Sequence, residues 1–250
     1  MGRFLSWMIS LVVSTHLCSA ELIVELPLQN KALKYAEKTR LSQVLIDVHN
    51  VVPERYSLGL FLADPSKQAE VDELFQEIES ELVQRKNKPN YTSLNQASQT
   101  ILEQLTSFQF KSRMLLELDY DLARARPMSD PMLSYQGQSK FEVYAFPRPE
   151  YITLVGAIDR PGKLTFKPHF QLADYLDEHG IVLLDGANKT QAIAIQPDGK
   201  VVEMGFGWWN SKETYLAPGA IVFVVLNSLW NENEELNRQI TELLVHRVGL

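Results

Sequence analysis

The sequence predicts an α+β chain of two β-rich units, the first interrupted by helices. Three patterns carry that prediction. Apolar and polar residues alternate near the beginning, at Leu22, Val24 and Leu26, the period-two signature of half-buried strands, and from Tyr151 onward strand-like runs follow one another between turn signals. Between 65 and 108 the apolar period becomes that of a helix. The segment "FPRPE" at 146–150, with its two prolines, separates the β-rich regions and is the expected domain boundary.

Taken in order, residues 1–20 have the layout of a secretory signal peptide: one positive charge at Arg3, an apolar run from Phe4 to Val13, and the small pair Ser19 and Ala20. An apolar core of about ten residues is too short for a hydrocarbon layer ~30 Å thick, so cleavage near Ala20 is expected. Cys18 follows the bulky Leu17, where a lipoprotein signal takes a small residue. The first unit, 21–147, opens with a hairpin that turns at Pro27 to Asn30 and returns through Ala32, Leu33 and Tyr35. A short helix then starts near Thr39 or Ser42. A hairpin leading into a helix is how a β-grasp begins.

An insertion over about 65–107 carries two amphipathic stripes. Val71, Leu74, Phe75, Ile78 and Leu82 form the first, and Leu94, Ala97, Ile101, Leu105 and Phe108 the second, with the polar break "RKNKPNYTS" between them. The spacing predicts an antiparallel helical hairpin in which each helix covers the other; a partner-binding groove is the alternative. Strand character returns at "SFQFKSRMLLELDYDLARARP" and at "KFEVYAFPRP".

The second unit, 148–228, reads element by element: strand "YITLVGAI", turn "DRPG", strand "KLTFKP", helix "FQLADYLDEHG" closed by Gly180, a hairpin turning at Pro197-Asp198-Gly199, and a last buried strand in "LAPGAIVFVVL". This is again β-grasp order. Pro161 and Gly162 stand between two strands, whereas a phosphate cradle needs its glycines between a strand and a helix N-terminus. That loop is therefore read as a turn. Residues 229–250 form an amphipathic helix with an N-cap at Asn231, Glu234 three positions on, and an apolar stripe through Leu236, Ile240, Leu243 and Leu244. Packing on its own domain is one reading of that stripe, and engagement of a membrane or channel is the other.

Composition narrows the function. The single cysteine, Cys18, lies in the signal, so the chain beyond it has no disulfide and is held by hydrophobic cores. Formal net charge is −7, and losing residues 1–20 removes only Arg3 and makes it −8. With no Lys/Arg block to neutralise phosphates, nucleic acid is not an expected partner. His49, His169, His179 and His246 are scattered, no H-E-x-x-H or G-x-S-x-G occurs, and "GFGWWN" has Asn210 where a dinucleotide fingerprint needs glycine. No enzyme, metal or cofactor is expected on these grounds, although a carboxylate pair suited to a glycosidase is defined by spatial separation, not by sequence.

The stretch "ITLVGAIDRPGKLTF…LADYLDEHG", followed by "ANKTQAIAIQPDGKVV", resembles the soluble-ligand-binding β-grasp (SLBB) pattern of polysaccharide export proteins. With "WWN" at 208–210, "APG" at 217–219 and the tail "LNRQITELLVHRV", it is similar to the capsule and exopolysaccharide biosynthesis family GfcC, including its YjbG-type relatives. The similarity is densest from Tyr151 to Val248 and thinner before that. The resemblance implies a periplasmic, non-catalytic accessory protein of two SLBB-like β-grasp domains. Its expected partners are a polysaccharide or the export machinery of the outer membrane, with membrane contact through the C-terminal helix as a possibility. A polysaccharide-modifying hydrolase or lyase and a channel-associated structural subunit are the alternatives.

Three residues are candidates for ligand or partner binding. Arg113 lies in "KSRMLLELD", similar to the family's G-R-x-x-V-x-L-D stretch, with Ser112 in place of glycine. A guanidinium offers a planar fork of donors suited to carboxylate, phosphate or sugar hydroxyls; the structural alternative is an ion pair with a nearby carboxylate such as Asp119. Trp208 and Trp209, with Tyr215 nearby, offer flat faces for a sugar ring or an interface, while a core-and-edge arrangement places one ring inside.

Overall fold

The computed structural model describes residues 21–36, 38–87, 92–125, 130–133, 140–210, 212–227 and 233–249. The signal segment and the N-cap expected at Asn231 lie outside these residues.

Strand β1 (Leu22–Leu26) buries Leu22, Val24 and Leu26 and pairs antiparallel with β2 (Lys31–Tyr35) across a tight turn. Asn30 closes that turn at φ 51°, a left-handed conformation that asparagine tolerates. Helix α1 (Leu41–Val51) covers the hairpin through Leu41, Val44, Leu45 and Val48. Strand β3 (Phe61–Ala63) follows, and the sheet is completed far along the chain by β4 (Lys140–Tyr144), which lies parallel to β1 and antiparallel to β3. The order β2-β1-β4-β3 sets first and last strands side by side at the centre, the β-grasp arrangement that the hairpin and helix predict.

The second sheet repeats the plan with one extra strand. Strands β5 (Tyr151–Gly156), β6 (Gly162–Thr165), β7 (Gln191–Ile195), β8 (Val201–Gly205) and β9 (Ile221–Val224) lie in the order β6-β5-β9-β7-β8, with β5 parallel to β9. Between β6 and β7 stands α5 (Leu172–His179), started by reciprocal bonds between Gln171 and Asp174 and stopped by Gly180 at φ 56°. The glycine of "LVG" also has a local cause. Gly156 has φ +107°, and a Cβ there would stand 2.1 Å from the Val224 carbonyl oxygen.

Helices α2 (Gln68–Lys86) and α3 (Thr92–Thr106) interrupt the first sheet in the chain, but in space they complete the second core. Val71, Ile78 and Leu82 from α2 and Ala97, Ile101 and Leu105 from α3 share one apolar cluster with Ile152, Leu154 and Phe223 of the second sheet. Helix α6 (Glu234–Val245) buries Leu236, Ile240, Leu243 and Leu244 in that cluster. The two helical stripes therefore do more than cover each other. Gln104 of α3 pins the junction, its amide nitrogen donating to the Gly156 carbonyl at 3.0 Å and its amide oxygen accepting from the Gly156 N–H at 2.7 Å.

The stretch after α3 departs from the expected strand. It is an extended strap that changes partners as it goes: Lys111 N–H donates to the His246 carbonyl at 2.8 Å, Asp64 N–H to the Ser112 carbonyl at 2.9 Å, and Met114 N–H to the Leu62 carbonyl at 2.8 Å. Such switching gives isolated bridges, Phe110 to Arg247 and Ala63 to Arg113, in place of a ladder. The strap crosses between cores, with Phe108 and Phe110 packed on the second and Met114, Leu116 and Leu118 on the first. Its end is the short helix α4 (Tyr120–Ala125), preceded by Asp119, whose carboxylate accepts from the Asp121 N–H at 2.8 Å.

Candidate functional site

Where the two units meet, a cleft of about 940 Å³ opens. The α1–β3 loop supplies Arg55, Tyr56 and Leu58, the strap supplies Leu115 to Asp119, the linker supplies Arg148, and the β7–β8 turn supplies Asp198 to Lys200. Tyr56 is held by its N–H, which donates to the Phe146 carbonyl at 2.7 Å, and the Arg148 guanidinium stands 5.8 Å from its ring centroid. Burial pushes the Tyr56 phenol up, against the pull of Arg148. Across the cleft Lys200 pairs with Asp198 at 2.8 Å. An aromatic face, two guanidinium groups, carboxylates and the exposed side chains of Leu58 and Leu115 thus share one opening. An aromatic face beside fixed polar groups offers stacking and hydrogen bonding in one place.

Arg113 lies beneath this cleft. Its guanidinium donates to the Pro197 carbonyl at 2.6 Å and the Leu60 carbonyl at 3.4 Å, and it covers the Phe61 ring at 4.9 Å. Among the described residues its hydrogen bonds go to these carbonyls, not to Asp119, so the expected ion pair does not form. Burial pushes the guanidinium down to about 10, with Asp198 opposing the shift. Gly199 fits over it: a Cβ at Gly199 would stand 3.2 Å from the Arg113 guanidinium carbon. Ser112, the departure from the family glycine, is absorbed by hydrogen bonds of its hydroxyl to the Asp64 carbonyl and of its N–H to Gln68 at 3.1 Å. Arg113 also borders a groove of about 410 Å³ that includes His246 and Glu242.

Trp208 and Trp209 both face solvent, 89% and 64% exposed, in an edge-to-face pair with centroids 5.7 Å apart. The expected core-and-edge arrangement is therefore replaced by two outward rings. The glycines explain it. A Cβ at Gly205 would stand 2.1 Å from the Asn210 carbonyl oxygen, and one at Gly207 2.8 Å from the Asn210 side-chain oxygen. The chain folds back on itself there, Asn210 bonds to the Thr190 carbonyl at 3.1 Å, and the tryptophans are left at the tip. Tyr215 is exposed as well. Arg113 and the tryptophans sit at opposite ends of the β7–β8 hairpin, so they are not brought into one site. Tyr56, Arg55 and Arg148, which the sequence did not single out, form the cleft instead; the signals were "RY" in a polar loop and the arginine inside "FPRPE".

Among the described residues no group of three or more His, Cys, Asp or Glu side chains comes together as a metal site. No described helix is long and apolar enough to cross a membrane. Two tandem β-grasp units, stapled by an inserted helical hairpin, thus open a mixed polar and aromatic cleft. The model for capsule biosynthesis GfcC, N-terminal, matches residues 20–148, and that for the capsule biosynthesis GfcC C-terminal matches 160–249. The chain belongs to the capsule biosynthesis GfcC family. It is 31% identical over 154 residues to the uncharacterized protein YjbG of Escherichia coli (strain K12), an alignment covering 61% of this chain and 60% of that relative.

Proposed function

We propose that this chain is a non-catalytic accessory protein of capsule or exopolysaccharide assembly and export, working in the periplasm and holding a segment of the glycan in the cleft between its two β-grasp units. One observation carries the reading: Tyr56, Arg148 and Lys200 converge from three separate segments on a single open cleft. Family membership supplies the pathway, and the signal-like residues 1–20 support the location. Trp208 and Trp209 offer a second, separate face, suited to the polymer or to a component of the export machinery.

The carboxylates of Glu117, Asp119 and Asp198 in the same cleft favour a hydrolase or lyase as the alternative. Incubation with capsule of the host separates the two. New reducing ends or unsaturated sugars that disappear on Asp198→Asn would overturn the accessory role; intact polymer agrees with it. Deletion of the gene, with surface and secreted polymer quantified separately, tests the pathway. Loss of surface polymer that wild type restores is expected, and unchanged polymer contradicts the reading.

A further inference from the structure

Arg247 follows directly on α6 and is only 9% exposed. Its backbone is fixed on both sides, by its own N–H donating to the Leu244 carbonyl at 3.2 Å and by the Val248 N–H donating to the Gln109 carbonyl at 2.8 Å. Its guanidinium lies over the Phe108 ring at 4.3 Å. Among the described residues no carboxylate stands within ion-pair distance of it, and its Nη1 has no hydrogen-bond partner. On β5, Thr153 is 3% exposed and its Oγ1 is likewise without a partner. A buried guanidinium nitrogen and a buried hydroxyl left without hydrogen-bond partners in one place are costly to the fold, since each has lost water and gained no hydrogen bond in return.

Both residues line one cavity of about 440 Å³ between α3 and the β5–β6 hairpin. Phe108 and Val155 give it apolar walls, Gln104 closes one side while committed to Gly156, and the turn at Pro161 and Gly162 forms its lip. The volume is in the range of small-molecule sites. The missing partner is an anion, and the surroundings choose its charge. Asp159 and Glu103 also line the cavity, Asp159 being engaged by Arg160 at 3.3 Å and by the Val182 N–H at 2.8 Å. Lys163 lines the cavity too, its amino group donating to the Tyr151 hydroxyl at 2.5 Å, so two cations already face two carboxylates; a monoanion on Arg247 adds one excess negative charge there, and a dianionic phosphate would add two.

We propose that this cavity is a binding site for a monocarboxylate carried on a compact ring, such as a hexuronic acid, with the carboxylate on Arg247 and Thr153 and the ring against Phe108 and Val155. A guanidinium fork and a hydroxyl donor suit a planar carboxylate. The inference is independent of what occupies the interdomain cleft.

The test is calorimetric titration of the mature chain with glucuronate, galacturonate, glucose and inorganic phosphate. The uronates bind and glucose, lacking the carboxylate, does not. Thr153→Val, which keeps the side-chain shape, weakens uronate binding at least threefold, and Arg247→Lys at least tenfold. Thermal melts guard against a folding artefact: Arg247→Met melts at or above the wild-type temperature without ligand, because it removes an unpaired buried charge, and uronate no longer shifts it. Absence of uronate binding, equal binding of glucose, phosphate binding tighter than uronate, or an unaltered response in Thr153→Val and Arg247→Lys overturns the proposal.

Discussion

Arg113 shows how a residue singled out by its motif acquires its role only from distant chain. The guanidinium ties the strap to the β7–β8 turn through the Pro197 carbonyl and to the first unit through the Leu60 carbonyl. Its partners lie 84 and 53 positions away, and carbonyls in turns leave no mark in a sequence, so local reading offers only a nearby carboxylate such as Asp119. Arg113→Ala leaves both carbonyls short of a donor and opens space under Gly199. We expect a loss of about 1–3 kcal/mol, seen as a lower melting temperature at roughly 2–4 °C per kcal/mol for a chain of this size. An unchanged melt would mean that the arginine is held for a ligand instead. His246 adds a pH dependence. Its Nδ1 accepts from the Arg113 N–H at 2.9 Å, which requires an unprotonated nitrogen, and burial lowers its pKa despite the opposing effect of Glu242. The depressed folded value means that its contribution is complete above the ordinary imidazole pKa of about 6.5 and is lost as pH falls below it. Between pH 7.5 and 5, wild type should therefore lose more melting temperature than His246→Gln; equal losses would refute this assignment.

At the scale of elements, the strands and helices of the second unit were legible because their punctuation is local: the Gln171 and Asp174 cap, Gly180 in the left-handed region, the turn at 197–199. What escaped sequence reading were the choices of neighbour. The stripes of α2 and α3 announced amphipathic helices, but nothing in their spacing says that a second sheet and α6 fill the remaining faces. The strap shows the converse, since alternation at Phe108 and Phe110 predicted a strand where only single bridges form. The α2–α3 hairpin is keyed by Gln104, whose amide satisfies both backbone groups of Gly156 inside the protein. Gln104→Ala orphans that N–H and C=O, and we expect about 1–3 kcal/mol of destabilisation, with faster hydrogen exchange at Gly156 and along β5. Protection equal to wild type would show that the clamp is dispensable.

For the whole molecule, the consequence is coupling. Although two sheets with separate strand orders are present, the hairpin inserted in the first is part of the core of the second, so neither can unfold without exposing the other's apolar surface. Calorimetry should give one transition with matching calorimetric and van't Hoff enthalpies, and two resolved transitions would contradict the stapled architecture. The tandem β-grasp plan and the family resemblance could be read from the sequence. The cleft could not, because its residues come from four segments that are neighbours only after folding.

That cleft is the centre of the account, and the direct measurement is calorimetric titration of residues 21–250 with oligosaccharides released from the host's own capsule, alongside Tyr56→Ala and Arg148→Ala. The account predicts saturable binding by wild type and at least tenfold weaker binding by both variants, with the melting temperature of Arg148→Ala within about 2 °C of wild type, as expected for an exposed side chain. No binding by wild type, or undiminished binding by both variants, would contradict it.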